Sequence, residues 1–140
     1  MKTALIIILT FLTFAAFQVA DSKSNLIGKW RLFALKKYSN NILTNKISDT
    51  YTSKTITFEK NGDFKEEADS LKLSGKWTFN NDQTKVGLII DNYNGVIEVP
   101  NSYDSLYIIK LEHDTLVYRT IGHIINETLN NREYYFVKVK

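Results

Sequence analysis

The amino-acid sequence predicts an all-β chain: an antiparallel up-and-down β-barrel of about eight strands, preceded by an N-terminal signal segment. Three observations predict it. Apolar residues alternate with polar ones through most of the chain after residue 22, and helical spacing is nearly absent. Clusters of turn residues separate the alternating runs at short intervals. Both tryptophans of the 140-residue chain stand in one local setting, Leu-Ile-Gly-Lys-Trp at Leu26–Trp30 and Leu-Ser-Gly-Lys-Trp at Leu73–Trp77.

The N-terminus reads as a targeting segment. Lys2 supplies a basic start, Ala4–Ala16 is apolar apart from two threonines, and small residues lead to the polar Asp21–Ser24. This is the tripartite pattern of a secretory signal peptide. Residues 1–22 are read as the signal peptide, with cleavage after Ala20 or Ser22, and residues 23–140 as one barrel domain. The competing reading, an uncleaved anchor, sits at the short edge of what spans a bilayer. The chain has no cysteine, so disulfides do not contribute and lipid attachment at a cysteine is excluded. The expected setting is secreted or periplasmic, with no membrane span after signal cleavage. The formal charge is +3 with Lys2 included, and the densest basic group is Lys36-Lys37. Nucleic-acid binders concentrate basic residues on one face, so no nucleic-acid partner is expected.

The strands follow in order. Trp30, Leu32 and Ala34 alternate in the first, Ile56 and Phe58 in the second, and Phe64 and Ala68 in the third. Leu71, Leu73, Gly75, Trp77 and Phe79 form the clearest run; successive strand residues point to opposite faces, so one face is buried. Val86, Leu88 and Ile90 continue, then Ser105–His113, Thr115–Ile121 and the terminal Arg132–Lys140. The Asn-Gly pair within Lys60–Asp63 is a strong hairpin signal, because both residues tolerate positive φ. Asn80–Thr84, Asn92–Gly95 and His113-Asp114 make further turns. Pro100 is expected to end the Val96–Val99 run, where a missing N–H is cheap. Two polar stretches, Ser39–Ser53 and Gly122–Asn131, are read as loops, the first with room for a helical turn. Hairpin succession without a long connection favours the up-and-down barrel over a sandwich, with the last strand returning to the first.

The two tryptophan segments diverge immediately after Trp30 and Trp77, so they are no internal repeat. The mechanical reading is closure. Gly28 and Gly75 let backbone approach closely or bend. Two residues on, along the same face, Trp30 and Trp77 supply the large apolar plugs that shut a barrel end.

The opening Leu26–Leu35 resembles the Gly-x-Trp strand of lipocalins. The chain as a whole resembles the small lipocalin-like domains exported by Bacteroidetes-type bacteria. The likeness runs through the Thr55–Phe64 hairpin, the second Gly-x-Trp at Ser74–Phe79, the Tyr107–Tyr118 hairpin and the aromatic Tyr134–Val139. The chain is shorter than true lipocalins and lacks their disulfides, a recognisable C-terminal helix and a clear Thr-Asp-Tyr motif. The resemblance implies a small non-enzymatic binding barrel.

Catalytic signals are thin. No cysteine nucleophile and no Gly-x-Ser-x-Gly elbow exist, and His113 and His123 have no partner at zinc-ligand spacing. No catalytic residue, metal site or cofactor is assigned. In the acidic run Asp63–Asp69, Glu66 and Glu67 should point to opposite sheet faces, against a calcium loop. Glu66 shares parity with Phe64 and Ala68, so it is expected inward, with a partner such as an arginine or as a ligand anchor. Arg31, Arg119 and Arg132 are the only arginines, and Arg119 lies in a late strand.

Candidate ligand-binding residues are Phe58, Phe64, Glu66, Trp77, Tyr118, Tyr134 and Phe136, an aromatic lining with one acid. The bland alternative for each aromatic is core packing. The first functional expectation is a barrel that binds a small apolar or amphipathic ligand. The second is a cell-envelope interaction module with a solid core, contacting a protein or glycan through its loops.

Overall fold

The computed structural model describes residues 23–48, 53–125 and 128–140; the expected signal peptide and its cleavage site lie outside them. Nine strands make one antiparallel sheet: β1 (Gly28–Ser39), β2 (Ile42–Ser48), β3 (Thr55–Phe58), β4 (Asp63–Ala68), β5 (Leu71–Phe79), β6 (Lys85–Tyr93), β7 (Val96–Leu111), β8 (Thr115–Ile125) and β9 (Thr128–Lys138). Their order is β2-β1-β3-β4-β5-β6-β7-β8-β9, and β9 pairs again with β1. β2 lies along the second half of β1 and β3 along its first half, so together they fill one strand position. The sheet therefore closes as an eight-position up-and-down barrel, as the hairpin succession requires. Arg31 faces Val137 and Leu32 faces Phe136 across the seam.

The pairing register stacks inward residues in layers, because directly opposed residues share a sheet face. Across β1, β9 and β8 one row is Leu32–Phe136–Leu116, the next is Leu35–Tyr134–Tyr118, and the third is Lys37–Arg132–Thr120. The first rows belong to a solid core with Trp30, Ile56, Phe58, Phe64, Trp77, Val86 and Leu106. The core fills the end of the barrel where β1 starts and β9 finishes. A helical turn over residues 23–26 caps that end and buries Leu26 completely.

Both indoles sit there. Trp30 is 0% exposed and Trp77 4%. The Trp30 indole Nε1 donates to the Leu26 carbonyl at 2.7 Å, and Trp77 Nε1 donates to the Glu59 carbonyl at 3.0 Å. Phe58 and Phe79 meet the Trp77 ring edge-on, at centroid separations of 5.6 and 6.4 Å. The glycines behave as the mechanical reading requires. A Cβ on Gly75 would lie 1.9 Å from the Ile89 carbonyl oxygen, at a register shift between Ser74 and Gly75. Gly28 adopts φ +132°, and a Cβ there would meet the Lys138 side chain.

Several expectations need correction. Ser39–Ser53 holds strand β2 rather than a loop with a helical turn: Asn40 and Asn41 take positive φ and turn the chain back along β1. Most of Gly122–Asn131 is strand too, since β8 reaches Ile125 and β9 starts at Thr128. Pro100 does not end its strand. It lies inside β7, where Ile97 opposes Asn92 and Ser102 opposes Ile90, so the residues between them bulge out of the ladder. A residue without an N–H costs nothing where no ladder bond is due. The register also slips between Leu32 and Ala34, so Leu35 rather than Ala34 opposes the inward Tyr134.

The collision at Gly75 is with backbone, which cannot swing aside. Gly75→Ala is expected to lower stability by about 2–3 kcal/mol, read as a fall in the urea midpoint at unchanged m-value. An unchanged midpoint would contradict this account of the bulge.

Candidate functional site

The other end of the barrel is hollow. A cavity of about 630 Å³ opens where β1 ends and β9 begins, lined by Lys37, Asp104, Thr120, Ile121, Arg132 and Tyr134 among others. Lys37, Arg132 and Thr120 are the third inward row, and Tyr134 belongs to the second. The row that would cap the core is polar, so the apolar packing stops there.

Beneath the cavity the interior carries a buried charge pair. Lys54 Nζ lies 2.6 Å from Glu66 Oε1, with only 16% and 9% of the side chains exposed. The same ammonium sits over the Tyr134 ring, 4.8 Å from its centroid. Tyr134 stacks on Tyr118 at 5.1 Å, and Tyr118 stacks on Phe136 at 5.4 Å. Burial, then the nearby Glu66 charge, pushes the Tyr118 phenol well above its ordinary range, so it stays protonated. Tyr134 thus floors the cavity, with Tyr118 and a neutralised ion pair packed behind it.

The candidate residues separate by depth. Tyr134 lines the cavity; Tyr118 and Glu66 lie in the floor layer; Phe58, Phe64, Trp77 and Phe136 are packed in the solid end. Glu66 is inward and 7% exposed while Glu67 is exposed, as parity requires. Its partner, however, is Lys54, not an arginine. Lys54 carries little sequence signal, because it precedes the strand whose parity would have placed it inward. Lys37 was missed because the β1 register slip reverses its parity, whereas Arg132 and Thr120 keep the parity of Tyr134 and Tyr118 but, being polar, do not read as the lining of an apolar pocket. His113 lies in the β7–β8 bend. Among the described residues no group of three His, Asp or Glu could hold a metal ion.

Arg119, the late-strand arginine, has a different role. It faces Glu133 across β8 and β9, on the outer surface, with Arg119 Nη2 2.5 Å from Glu133 Oε1. The Tyr38 and Tyr135 hydroxyls donate to Glu133 Oε2 at 2.9 and 2.8 Å. Covered by these groups, Glu133 is only 7% exposed. The cluster bolts β1, β8 and β9 together along the closure seam. Burial pushes the Glu133 carboxyl up, but the hydrogen bonds from Arg119, Tyr135 and Tyr38 outweigh it, and its pKa lies below the ordinary value.

Around the mouth the hairpin tips are apolar. Ile42, Val96, Ile97, Val99, Tyr103 and Ile121 are all exposed, Val99 to 86%. They come from the β1–β2 hairpin, the β6–β7 hairpin and the far end of β8.

Comparison with known proteins agrees with this architecture. Residues 14–118 match the family model described as a C-terminal lipocalin-like domain. Among solved structures, the chain is similar to LTBP1 in its complex with LTC4, at 9% identity and TM-score 0.51, covering 80% of this chain and 65% of that one. It is similar to lobster apocrustacyanin A1 at 13% identity and TM-score 0.51, covering 87% and 65%. A DUF4847 family protein from Bacteroides vulgatus aligns at 12% identity and TM-score 0.43, covering 79% and 94%. The chain thus spans 65% of the length of each of the first two structures. At these identities the likeness to those two is one of fold. No curated protein matches the chain.

Two predictions follow the charges. Glu66→Leu strands Lys54 unpaired in the interior and is expected to cost about 3 kcal/mol, most of it recovered in the Lys54→Met/Glu66→Leu double variant; urea denaturation of the three variants checks this. Glu133 has a lowered folded pKa, so its stabilisation is complete above the ordinary glutamate value of about 4.3 and is lost as pH falls through the lowered value. Glu133→Gln should flatten that part of the stability–pH profile below about pH 4.5, and an unaltered acid limb would contradict the clamp.

Proposed function

Because the chain belongs to the C-terminal lipocalin-like domain family, we propose that it is an exported, non-enzymatic barrel that holds one small amphipathic molecule in its open end. The observation that carries this reading is the division of the interior. One end is packed shut, and the other keeps a cavity of about 630 Å³, within the range of small-molecule sites. Its floor is the Tyr134–Tyr118 stack and its walls are polar, so a guest presents an apolar face downward and polar groups to the sides. The signal-like N-terminus supports export to the periplasm or exterior. The thin inventory of nucleophiles and metal ligands supports binding without catalysis.

A second reading, a cell-envelope interaction module contacting protein or glycan through its loops, is favoured by the apolar hairpin tips around the mouth. The solid core first attached to that reading applies to one end of the barrel.

Native mass spectrometry of the chain purified from its own host tests the choice. The expected result is a small-molecule adduct that is lost or reduced in Thr120→Trp, whose indole intrudes into the cavity from β8. A consistently bare wild-type chain would contradict the binding reading and favour the interaction module.

A further inference from the structure

We propose that the cavity takes a small organic oxyanion, a carboxylate or sulfonate on a ring-sized apolar body, held by Lys37 and Arg132. This rests on the binding reading above and adds the charge of the guest. Lys37 and Arg132 are direct cross-strand partners on β1 and β9, and both line the cavity. Like charges placed directly opposite on one sheet face repel. The ion pairs among the described residues are Lys54–Glu66, Lys76–Asp63, Lys110–Glu112 and Arg119–Glu133, so neither cavity cation is neutralised. Asp104, the acid in the lining, forms an ion pair with neither and accepts the backbone N–H of Ser105 at 2.7 Å, so two cations face one acid and the lining stays net positive.

The other inward cations among the described residues are each engaged: Lys54 has Glu66 at 2.6 Å, and Lys138 donates to the Asn25 carbonyl at 2.9 Å and lies over the Trp30 ring. The pair at the mouth is the exception, and it faces open volume. An oxyanion between the two would relieve their repulsion. Arginine offers two parallel N–H donors to a carboxylate or sulfonate, and lysine adds a point charge from the neighbouring strand. The Thr120 hydroxyl, next in the same row across β8, supplies a third donor. One row deeper, Tyr134, whose faces are taken by Tyr118 and the Lys54 ammonium, leaves its ring edge for the apolar body. The geometry thus orders the guest: charged head at the Lys37–Arg132–Thr120 row, ring toward the Tyr134–Tyr118 floor.

The test is titration of the full chain with three probes sharing one bicyclic body: 2-naphthoate, 2-naphthamide and 2-naphthylmethylammonium, followed by naphthalene fluorescence. The expected result is that naphthoate binds at least tenfold more tightly than naphthamide, with the ammonium weakest. Arg132→Gln and Lys37→Gln should each weaken naphthoate at least fivefold, weaken naphthamide by a smaller factor and reduce the salt dependence of naphthoate binding. Unchanged near-ultraviolet circular dichroism verifies that the variants are folded. Equal affinity for naphthoate and naphthamide, or naphthoate binding indifferent to both substitutions, would overturn the oxyanion site while leaving the binding reading intact. Failure of all three probes to bind would overturn both.

Discussion

The contact on which everything else depends is the ladder between β1 and β9. A sheet of hairpins has two edges, and an open edge invites pairing with other chains. Here the last strand returns to the first over nearly the whole length of β1, from Trp30 opposite Lys138 to Ser39 opposite Asn130. Closure gives the barrel an inside. Only then do Leu32, Phe136 and Leu116 become one layer of a common core, and Lys37, Arg132 and Thr120 one ring of a mouth. The outer-face cluster of Glu133, Arg119, Tyr38 and Tyr135 sits on this seam and ties three strands by charge-assisted hydrogen bonds.

Given closure, the barrel divides its interior between stability and binding. The tryptophan end is assembled from side chains that are almost wholly buried, and the cap over residues 23–26 seals it. A barrel of eight strand positions is only just wide enough for side chains to fill. A cavity therefore requires that large apolar residues be withheld from part of it. The chain does this by changing residue type along the strands: β1 runs from Trp30 and Leu32 to Lys37, and β9 backward from Phe136 and Tyr134 to Arg132. The Lys54–Glu66 pair marks the transition. Its charges are satisfied by one another and by the Tyr134 face, so the layer behind the aromatic floor is polar but neutral.

Most of the fold was legible in the sequence because alternation, Asn-Gly turns and the two Gly-Lys-Trp strands are local signals. Gly75 and Trp77 were placed correctly on these grounds alone, and so was the inward Glu66. The candidate site was less legible. Parity is a counting argument, and one extra residue defeats it: the slip between Leu32 and Ala34 turns Lys37 inward. The Asn40-Asn41 turn hid β2 in a polar stretch, because the side chains of residues 42–46 are all exposed and show no buried face. Aromatic residues mark cores and pockets alike, and Phe58, Phe64, Trp77 and Phe136 fell on the core side for lack of any sequence feature that separates the two. The pairing of Lys54 with Glu66, and of Arg119 with Glu133, depends on distance in space and had no local signature.

One end of the barrel is solid and the other receptive, and chemical-shift mapping tests this division most directly. The indole N–H signals of Trp30 and Trp77, each held by a backbone carbonyl, report on the closed end, and the amides of Lys37, Thr120, Arg132 and Tyr134 report on the mouth. On addition of a small amphiphile the account predicts that the mouth amides move and both indole signals stay where they are. Movement of the indoles with a silent mouth would contradict it.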